Sequence, residues 1–310
     1  MTPSVTVTLV GAPDLGPALG KKGTQSDLTL YNHVRDGHAA TVVIPTQYPE
    51  KFPPLLQAVA MADRAVFVVP ALDRTFAEAA ATLDLFDLPV ELRRGETVGE
   101  AELRRALRSS RLETLPIASI DPPRLREEIE HWTAPARTGS LVVSIDHAFP
   151  VRGVGAVALG VVRRGTLETH AKLTLYPDLR AVEVRSIQVH DEDVDSASVG
   201  DRVGVALRGV EAEELSRGQA LAPEGSLVTG PRVELGALKR CRYYRGTVSP
   251  GSSFQLQIGL QVVPAKVESA SAESLVVVAD RPLAWSPGDL AHLADLSIPS
   301  GPRIVLGGTL

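Results

Sequence analysis

The sequence predicts a mixed-sheet α/β domain followed by two small β-barrel domains. In about the first 130 residues, short apolar runs alternate with segments of helical periodicity, which is the pattern of an α/β sheet domain. The stretch TAPARTGS at residues 133–140 is poor in large apolar residues and is typical of a linker. Beyond it the helical period is lost, and runs rich in Val, Leu and Ile recur between turns, as in β-barrels or sandwiches.

The first domain is expected to contain five strands and four helices. The strands are predicted at residues 5–11, 27–33, 39–45, 64–70 and 89–93, and the helices at 49–61, 75–85, 99–109 and 122–131. Asp36 and Gly37 lie between the second and third strands, and this dipeptide between apolar runs is a strong hairpin signal. The sheet is therefore expected to be mixed, with one antiparallel pair.

The second half of the chain divides into two modules. A turn-rich break near Pro223 to Ser226 separates two segments of about 85 residues, which is within the usual size range of domains. The predicted domains are residues 1–137, 138–225 and 226–310.

Composition excludes several classes of protein. A net charge of -5 argues against a generally basic nucleic-acid binder, so any such contact must come from local patches. The longest apolar run, residues 65–72, is interrupted by Pro70 and is too short to cross a bilayer. No secretory signal is visible, and the single Cys241 permits no intramolecular disulfide. These features predict a cytoplasmic protein with no membrane partner.

Two blocks in the second half carry a resemblance to a known family. LVVSIDHAFPVRGVGAVALGVVRRG, residues 141–165, is similar to the start of the second domain of translational GTPases of the elongation factor Tu (EF-Tu) kind. VGDRVGVALRGVEAEELSRGQALAPEG, residues 199–225, is similar to the end of that domain, and IVLGGTL at residues 304–310 resembles the end of the third domain. The resemblance implies the three-domain EF-Tu-like architecture, with a P-loop GTPase-like α/β domain first.

The first loop resembles a phosphate-binding loop that has lost its chemistry. Two glycines follow the first strand at the spacing of such a loop, but Pro17 replaces the phosphate-binding Lys and Ala18 replaces the hydroxyl that binds Mg²⁺. The residues assigned to this degenerate loop are Gly11, Asp14, Gly16, Lys21, Lys22 and Thr24.

The other GTPase elements are also missing or replaced. Residues 19–26 are too few for the long mobile switch, and Ile44 stands where the Asp of Asp-x-x-Gly is expected, with Tyr48 near the following His. Residues 92–96, LRRGE, stand where Asn-Lys-x-Asp would read guanine. We expect a pseudo-GTPase with no catalytic residues, no metal site and no cofactor. The alternative is an active GTP-binding factor in which Lys21 and Lys22 bind the phosphates of GTP–Mg²⁺ from a shifted position.

The resemblance also implies a pocket for the aminoacyl end of tRNA between the first two domains. The residues at matching positions are Asp146, His147, Phe149, His190 and Arg202. The selenocysteine-specific factor (SelB) has an Arg at the last of these positions and a similar Ile-Asp-Arg-Val-Phe step near the first. His147, His190 and Arg202 together offer positive charge and hydrogen-bond donors to an anionic group. The alternative is that they are unrelated surface residues on variable loops.

A second basic patch lies in the third domain, which touches the tRNA stem in this family. Its residues are Lys239, Arg240, Arg242, Tyr243, Tyr244 and Arg245. Cations beside aromatic rings suit phosphate contact and stacking on RNA. The alternative is a strand whose alternate residues face solvent while the aromatics pack inward, with Cys241 as a small buried residue.

The resemblance therefore predicts an archaeal SelB-like elongation factor, monomeric, that binds aminoacylated tRNA, the ribosome or both. A third possibility is a regulatory protein-binding module that kept the shape of a translation factor and lost tRNA binding.

Overall fold

A computed structural model describes residues 4–299 and 301–310 of the chain. Residues 1–3 and 300, which belong to the predicted first and third domains, lie outside the described residues. The predicted fold class is confirmed: a mixed α/β sheet domain is followed by two β-barrels.

The first domain is a seven-stranded sheet in the order β2-β3-β4-β1-β5-β6-β7. Its strands are β1 Ser4–Val10, β2 Lys21–Gln25, β3 Thr29–Arg35, β4 His38–Ile44, β5 Arg64–Val69, β6 Val90–Arg94 and β7 Ile117–Ser119. Strands β4, β1, β5, β6 and β7 are parallel, whereas β2, β3 and β4 pair antiparallel. Every residue of β1 is buried, as expected for a central parallel strand covered on both faces.

Five helices accompany this sheet: α1 Gly16–Leu19, α2 Pro53–Met61, α3 Arg74–Leu85, α4 Glu100–Ala106 and α5 Pro122–Ile129. Local signals fix where two of them begin, because Asp73 accepts a hydrogen bond from the Phe76 amide and Asp121 accepts one from the Arg124 amide. Helix α1 is a single turn, although a phosphate-binding loop normally opens a long helix.

The second domain is a barrel made of β8 Val142–Val151, β9 Gly155–Arg164, β11 Lys172–Tyr176, β12 Arg180–Val189, β15 Arg202–Arg208 and β16 Ala220–Ala222. Pairing in the order β11-β16-β8-β9-β15-β12, with β12 returning to β11, closes it. The short strand β13 Glu192–Val194 pairs with β12, whereas β10 Thr166–Glu168 and β14 Ser196–Ser198 form a separate two-stranded sheet. Alternating apolar side chains fill its core, as the period of two along each strand requires.

The third domain is a second closed barrel, in the order β17-β20-β19-β18-β21-β22. Its strands are β17 Val228–Arg240, β18 Ser253–Ile258, β19 Gln261–Ala270, β20 Leu275–Trp285, β21 Leu290–Ala294 and β22 Ile304–Thr309.

The structure differs from the predicted elements at the edges of the first sheet. Strands β2 and β7 were not predicted, because β2 consists of polar residues and β7 has only three residues. Helix α2 begins at Pro53 rather than at residue 49, and α4 ends at Ala106 rather than at 109. No helix in the described part of the chain combines the length and the apolar character that a membrane span needs.

The three domains pack closely on one another. The core between α2, α3 and the sheet includes Cys241, Ala294 and Ile304 from the third domain. An interdomain ion pair joins the buried Glu78 of α3 to Arg303, at 2.6 Å between Oε2 and Nη2. Gln57 of α2 donates to the carbonyl of Leu260 at 2.9 Å. Cys241 is buried, as expected from the sequence.

Candidate functional site

The loop after β1 keeps its glycines for reasons of packing. Gly11 has a φ of +94°, and a Cβ there would lie 2.0 Å from the carbonyl oxygen of Val68, so no larger residue fits. At Gly16 a Cβ would lie 2.4 Å from the Tyr31 ring and 2.8 Å from Ile44 Cδ1. Side chains of β3 and β4 therefore occupy the space directly over the second glycine.

The remaining residues assigned to this loop lie elsewhere. Asp14 is exposed in the single 3-10 turn that precedes α1. Lys21, Lys22 and Thr24 belong to β2, which is the edge strand of the sheet. The structure thus separates the glycines from the two lysines, because the chain turns at Gly20 and pairs with β3.

A cleft of about 660 Å³ lies between this edge strand and the second domain. The first domain contributes Lys21, Lys22, Thr24, Asn32 and His33, and the barrel contributes Leu159, Gln188, His190, Asp191 and Arg202. The structure therefore brings two groups of predicted residues, assigned from the sequence to separate sites, to one cavity.

His190 presents a neutral ring to this cleft. It has a φ of +52°, and its Nε2 atom is buried without a hydrogen-bond partner among the described residues. Burial lowers the pKa of His190 below its ordinary value, although the nearby Asp201 carboxylate opposes that shift. At neutral pH the imidazole is a hydrogen-bonding group and adds no charge.

Arg202 is neutralised by Asp146 and is not a free cation. Its guanidinium holds the carboxylate with two hydrogen bonds, 2.5 Å from Nη1 to Oδ2 and 2.9 Å from Nη2 to Oδ1. Both residues are buried. Burial by itself raises the pKa of Asp146, but the Arg202 charge and hydrogen bonds hold it below the ordinary value. The expected positive charge of the pocket must therefore come from the lysines.

The five predicted pocket residues do not converge on one cavity. Asp146 and His147 line a second cavity of about 500 Å³ with Asp27, Gln57 and Arg217. His147 Nδ1 lies 3.0 Å from Asp146 Oδ1. The Asp146 carboxylate therefore contacts both His147, in this cavity, and Arg202, in the first cleft. Phe149 is 41% exposed on β8 and lines neither cavity.

Arg217 is an interdomain contact residue that the sequence did not single out. Its guanidinium donates to Asp27 Oδ2 at 2.8 Å, to Gln57 Oε1 at 3.1 Å and to Ser26 Oγ at 3.0 Å in the first domain. It also donates to the main-chain oxygen of Asp146 at 3.2 Å. Arg217 therefore joins the first and second domains at the wall of the cavity of about 500 Å³. The only signal was its place in the Arg-Gly-Gln step of the second matched block.

The basic patch of the third domain lies at the end of β17 and in the turn that follows. Lys239, Arg240, Arg242, Tyr243 and Arg245 are exposed. The Arg242 guanidinium stacks over the Tyr243 ring at 4.6 Å, whereas the Tyr244 hydroxyl turns inward and donates to Asp295 at 2.8 Å. Residues 242–245 thus form a turn and loop, and only one of the two aromatics packs inward. No group of three or more His, Cys, Asp and Glu side chains in the described ranges is arranged to hold a metal ion.

Comparisons with known proteins place this geometry in context. Residues 155–222 match the family described as elongation factor Tu domain 2. An uncharacterized protein of Methanocaldococcus jannaschii is 33% identical over 294 residues, which are 94% of this chain and 95% of that protein. The selenocysteine-specific elongation factor of the same organism is 37% identical over 127 residues, which are 41% of this chain and 27% of that factor.

Solved structures share the whole fold. Translation elongation factor SelB from Methanococcus maripaludis, in complex with the GTP analogue GppNHp, superposes with a TM-score of 0.84 at 21% identity. The match covers 99% of this chain and 78% of that chain. The apo form of the same factor gives a TM-score of 0.81 at 22% identity. The matched sequence blocks, the relative aligned along nearly the full length and the shared three-domain fold agree, and the chain belongs to the EF-Tu and SelB type of translational GTPase family.

Proposed function

We propose that this chain is a translation-factor-like protein that binds the aminoacyl end of tRNA in the cleft between its first two domains, without using GTP. The observation that carries the proposal is the composition of that cleft. Lys21 and Lys22 of β2 line one open cavity together with His190 and Arg202 of the second barrel.

Electrostatics favour an anionic, single-stranded ligand in this cleft. The described residues give neither lysine an ion-pair partner, and Asp191 is the one carboxylate among the lining residues. Two unpaired ammonium groups suit phosphates, and His190 offers a neutral hydrogen-bonding edge deeper in the cavity. The chain has a net charge of -5, so this attraction is local rather than general.

The packing at Gly16 argues against GTP binding and hydrolysis by this chain. Tyr31 and Ile44 fill the space over that glycine, and Ile44 supplies no carboxylate for Mg²⁺ at the end of β4. Hydrolysis of GTP needs a phosphate-binding Lys, a metal-binding hydroxyl and a water-orienting residue, and the loop after β1 has Pro17 and Ala18 in the first two places.

Titration with fluorescent GTP, GDP and ATP is expected to give flat curves with the wild-type protein in the presence of Mg²⁺. The reason is that Tyr31 and Ile44 occupy the space over Gly16, and that Pro17 and Ala18 stand in place of the phosphate-binding Lys and the Mg²⁺-binding hydroxyl. Micromolar binding of GTP that disappears in the Lys21→Gln/Lys22→Gln variant would instead support the shifted nucleotide site.

Neutralising the cleft lysines is expected to weaken the binding of aminoacyl-tRNA by about tenfold at physiological salt. Each phosphate contact to a single strand contributes roughly 0.7 to the slope of log K against log salt, so Lys21→Gln/Lys22→Gln should lower that slope by about 1.4. Filter binding at salt concentrations from about 50 to about 300 mM, on either side of physiological ionic strength, measures both the affinity and the slope.

The matched control is Lys172→Gln/Lys266→Gln, which removes the same charge from exposed positions on the two barrels. This control should bind like the wild type. Equal weakening in both double variants would show a general charge effect and remove the cleft from the proposal. Wild-type protein that binds no aminoacyl-tRNA even at low salt would favour the protein-binding module.

A further inference from the structure

Residues 45–61, which we call the strap, comprise the loop after β4 and helix α2. The strap follows Ile44, which stands where the Asp of Asp-x-x-Gly is expected, so Gln47 stands where that element has its glycine. The strap contains four prolines, at positions 45, 49, 53 and 54, and no glycine. Because proline fixes φ and glycine gives a hinge its freedom, this composition disfavours a hinge.

Gln57, in the second half of the strap, contacts both barrels with one side chain. It belongs to α2 of the first domain and is only 9% exposed. Its Oε1 accepts a hydrogen bond from Arg217 of the second domain at 3.1 Å, and its Nε2 donates to the main-chain oxygen of Leu260 in the third domain at 2.9 Å. A movement of α2 away from the barrels would break both bonds and leave buried polar groups without partners.

The other domains also hold the two ends of the strap. At its end, the main-chain oxygen of Met61 accepts a hydrogen bond from Arg163 of the second barrel at 2.7 Å. Near its start, the main-chain oxygen of Pro49 accepts one from Arg303 of the third domain at 2.8 Å, and the same guanidinium lies 5.0 Å from the centre of the Phe52 ring. The second and third domains therefore hold opposite ends of one segment of the first domain.

Apolar packing joins the same three domains around α2. One cluster of buried residues combines Ala58 and Met61 of the strap with side chains of the first sheet and of both barrels, namely Leu28, Leu30, Val43, Val161 and Leu260. Segments that move within a folded protein come from regions with few buried apolar contacts. The strap has the opposite character, since its helix is buried and its polar groups are bonded to two other domains.

We infer that the strap is a fixed connection that holds the three domains in one arrangement, whether or not a ligand is bound. A ligand shifts a protein towards a second arrangement only if that arrangement is accessible and binds the ligand better. With the strap fixed, GTP and GDP have no second arrangement to select. If the proposed function holds, on which this last step rests, the cleft stays formed and no nucleotide controls the release of aminoacyl-tRNA.

Hydrogen–deuterium exchange of the wild-type protein tests the inference, and the first comparison needs no ligand. The amides of α2 should exchange as slowly as those of the central strand β1, because both segments then open only together with the whole first domain. Addition of GTP or GDP with Mg²⁺, or of aminoacyl-tRNA, should leave the ratio of the α2 and β1 exchange rates unchanged. The radius of gyration from small-angle X-ray scattering should be the same with GTP, with GDP and with neither.

Replacing Gln57 by Leu should speed the exchange of the α2 amides by about tenfold or more, because a buried acceptor is then left without its donor. The matched control is Gln255→Leu on β18. Gln255 lines the same cavity as Gln57, and its side chain makes no hydrogen bond to any residue that the structure describes. This control should leave the α2 amides at the wild-type rate.

Three results would contradict the inference. The first is α2 amides that exchange about a hundredfold faster than the β1 amides, which would show that α2 opens locally. The second is an exchange ratio or a radius of gyration that changes with GTP or GDP, and the third is equal α2 exchange in Gln57→Leu and Gln255→Leu. Slow α2 exchange in a protein that binds no aminoacyl-tRNA would support the fixed strap and reject the proposed function.

Discussion

Replacing Asp146 by Ala is expected to lower the free energy of unfolding by about 3–5 kcal/mol. The substitution removes the carboxylate that pairs with Arg202 through two hydrogen bonds, and Arg202 is only 9% exposed. In this variant the buried Arg202 guanidinium is still removed from water, but no carboxylate remains to compensate its charge. Equilibrium unfolding in urea, followed by circular dichroism, measures the difference.

An exposed pair on the same barrel provides the control for Asp146→Ala. Glu183 and Arg208 lie 3.2 Å apart with side chains 34% and 60% exposed, so Glu183→Ala should cost less than about 1 kcal/mol. Replacing both Asp146 and Arg202 by Leu should recover much of the stability, because no charge is then left buried. If Asp146→Ala lowers the free energy of unfolding by no more than Glu183→Ala does, the Asp146–Arg202 pair is not important for stability.

His292 is expected to make the protein lose stability as the pH falls from 6.5 towards 4. Its ring is buried at the junction of the first and third domains, stacked on Phe86 at 3.8 Å between centroids and within 3.3 Å of the Leu85 carbonyl oxygen. Burial lowers its pKa in the folded protein to about 4, from 6.5 when unfolded. The unfolded chain therefore binds a proton in this range that the folded chain does not.

The sign follows from this difference in proton binding. The stability that neutral His292 contributes is fully present above pH 6.5 and is lost as the pH falls to about 4. The total loss in the free energy of unfolding is about 3 kcal/mol. His292→Asn should flatten the dependence of unfolding free energy on pH between these limits, measured by urea unfolding at several pH values. His131→Asn, at an exposed position, should keep the wild-type slope. Identical slopes for His292→Asn and the wild type would show that His292 does not titrate in this way.

The sequence predicted the order of domains because the signals are local. Alternation, turn residues such as Asp36-Gly37 and the loss of helical period past the linker are visible within short windows. Strand β2 was not predicted, because residues Lys21 to Gln25 show no alternation of apolar and polar side chains. These residues form a strand because they pair with β3, and not because they are buried. Its position in the sheet, however, is what brings the lysines to the cleft.

The sites could be predicted only in part, since they are made by contacts between distant residues. Asp146 and Arg202 were both selected by the family resemblance, but their pairing across 56 positions, which cancels the charge of Arg202, is visible only in three dimensions. Arg217 contacts Ser26 across 191 positions, and nothing in either segment indicates the other. The contacts that fix the strap have no local pattern either, because the second and third domains supply them from distant parts of the chain.

The contact between Glu78 and Arg303 has a consequence for the order in which the chain is synthesised. The two residues are 225 positions apart, and Ile304 next to Arg303 belongs to the hydrophobic core around α3. During translation the α/β domain leaves the ribosome before the third domain, with Glu78 lacking its cation and that core lacking three of its apolar side chains. The α/β domain is thus completed only after the third domain has been made, when the strand that follows Arg303 reaches it.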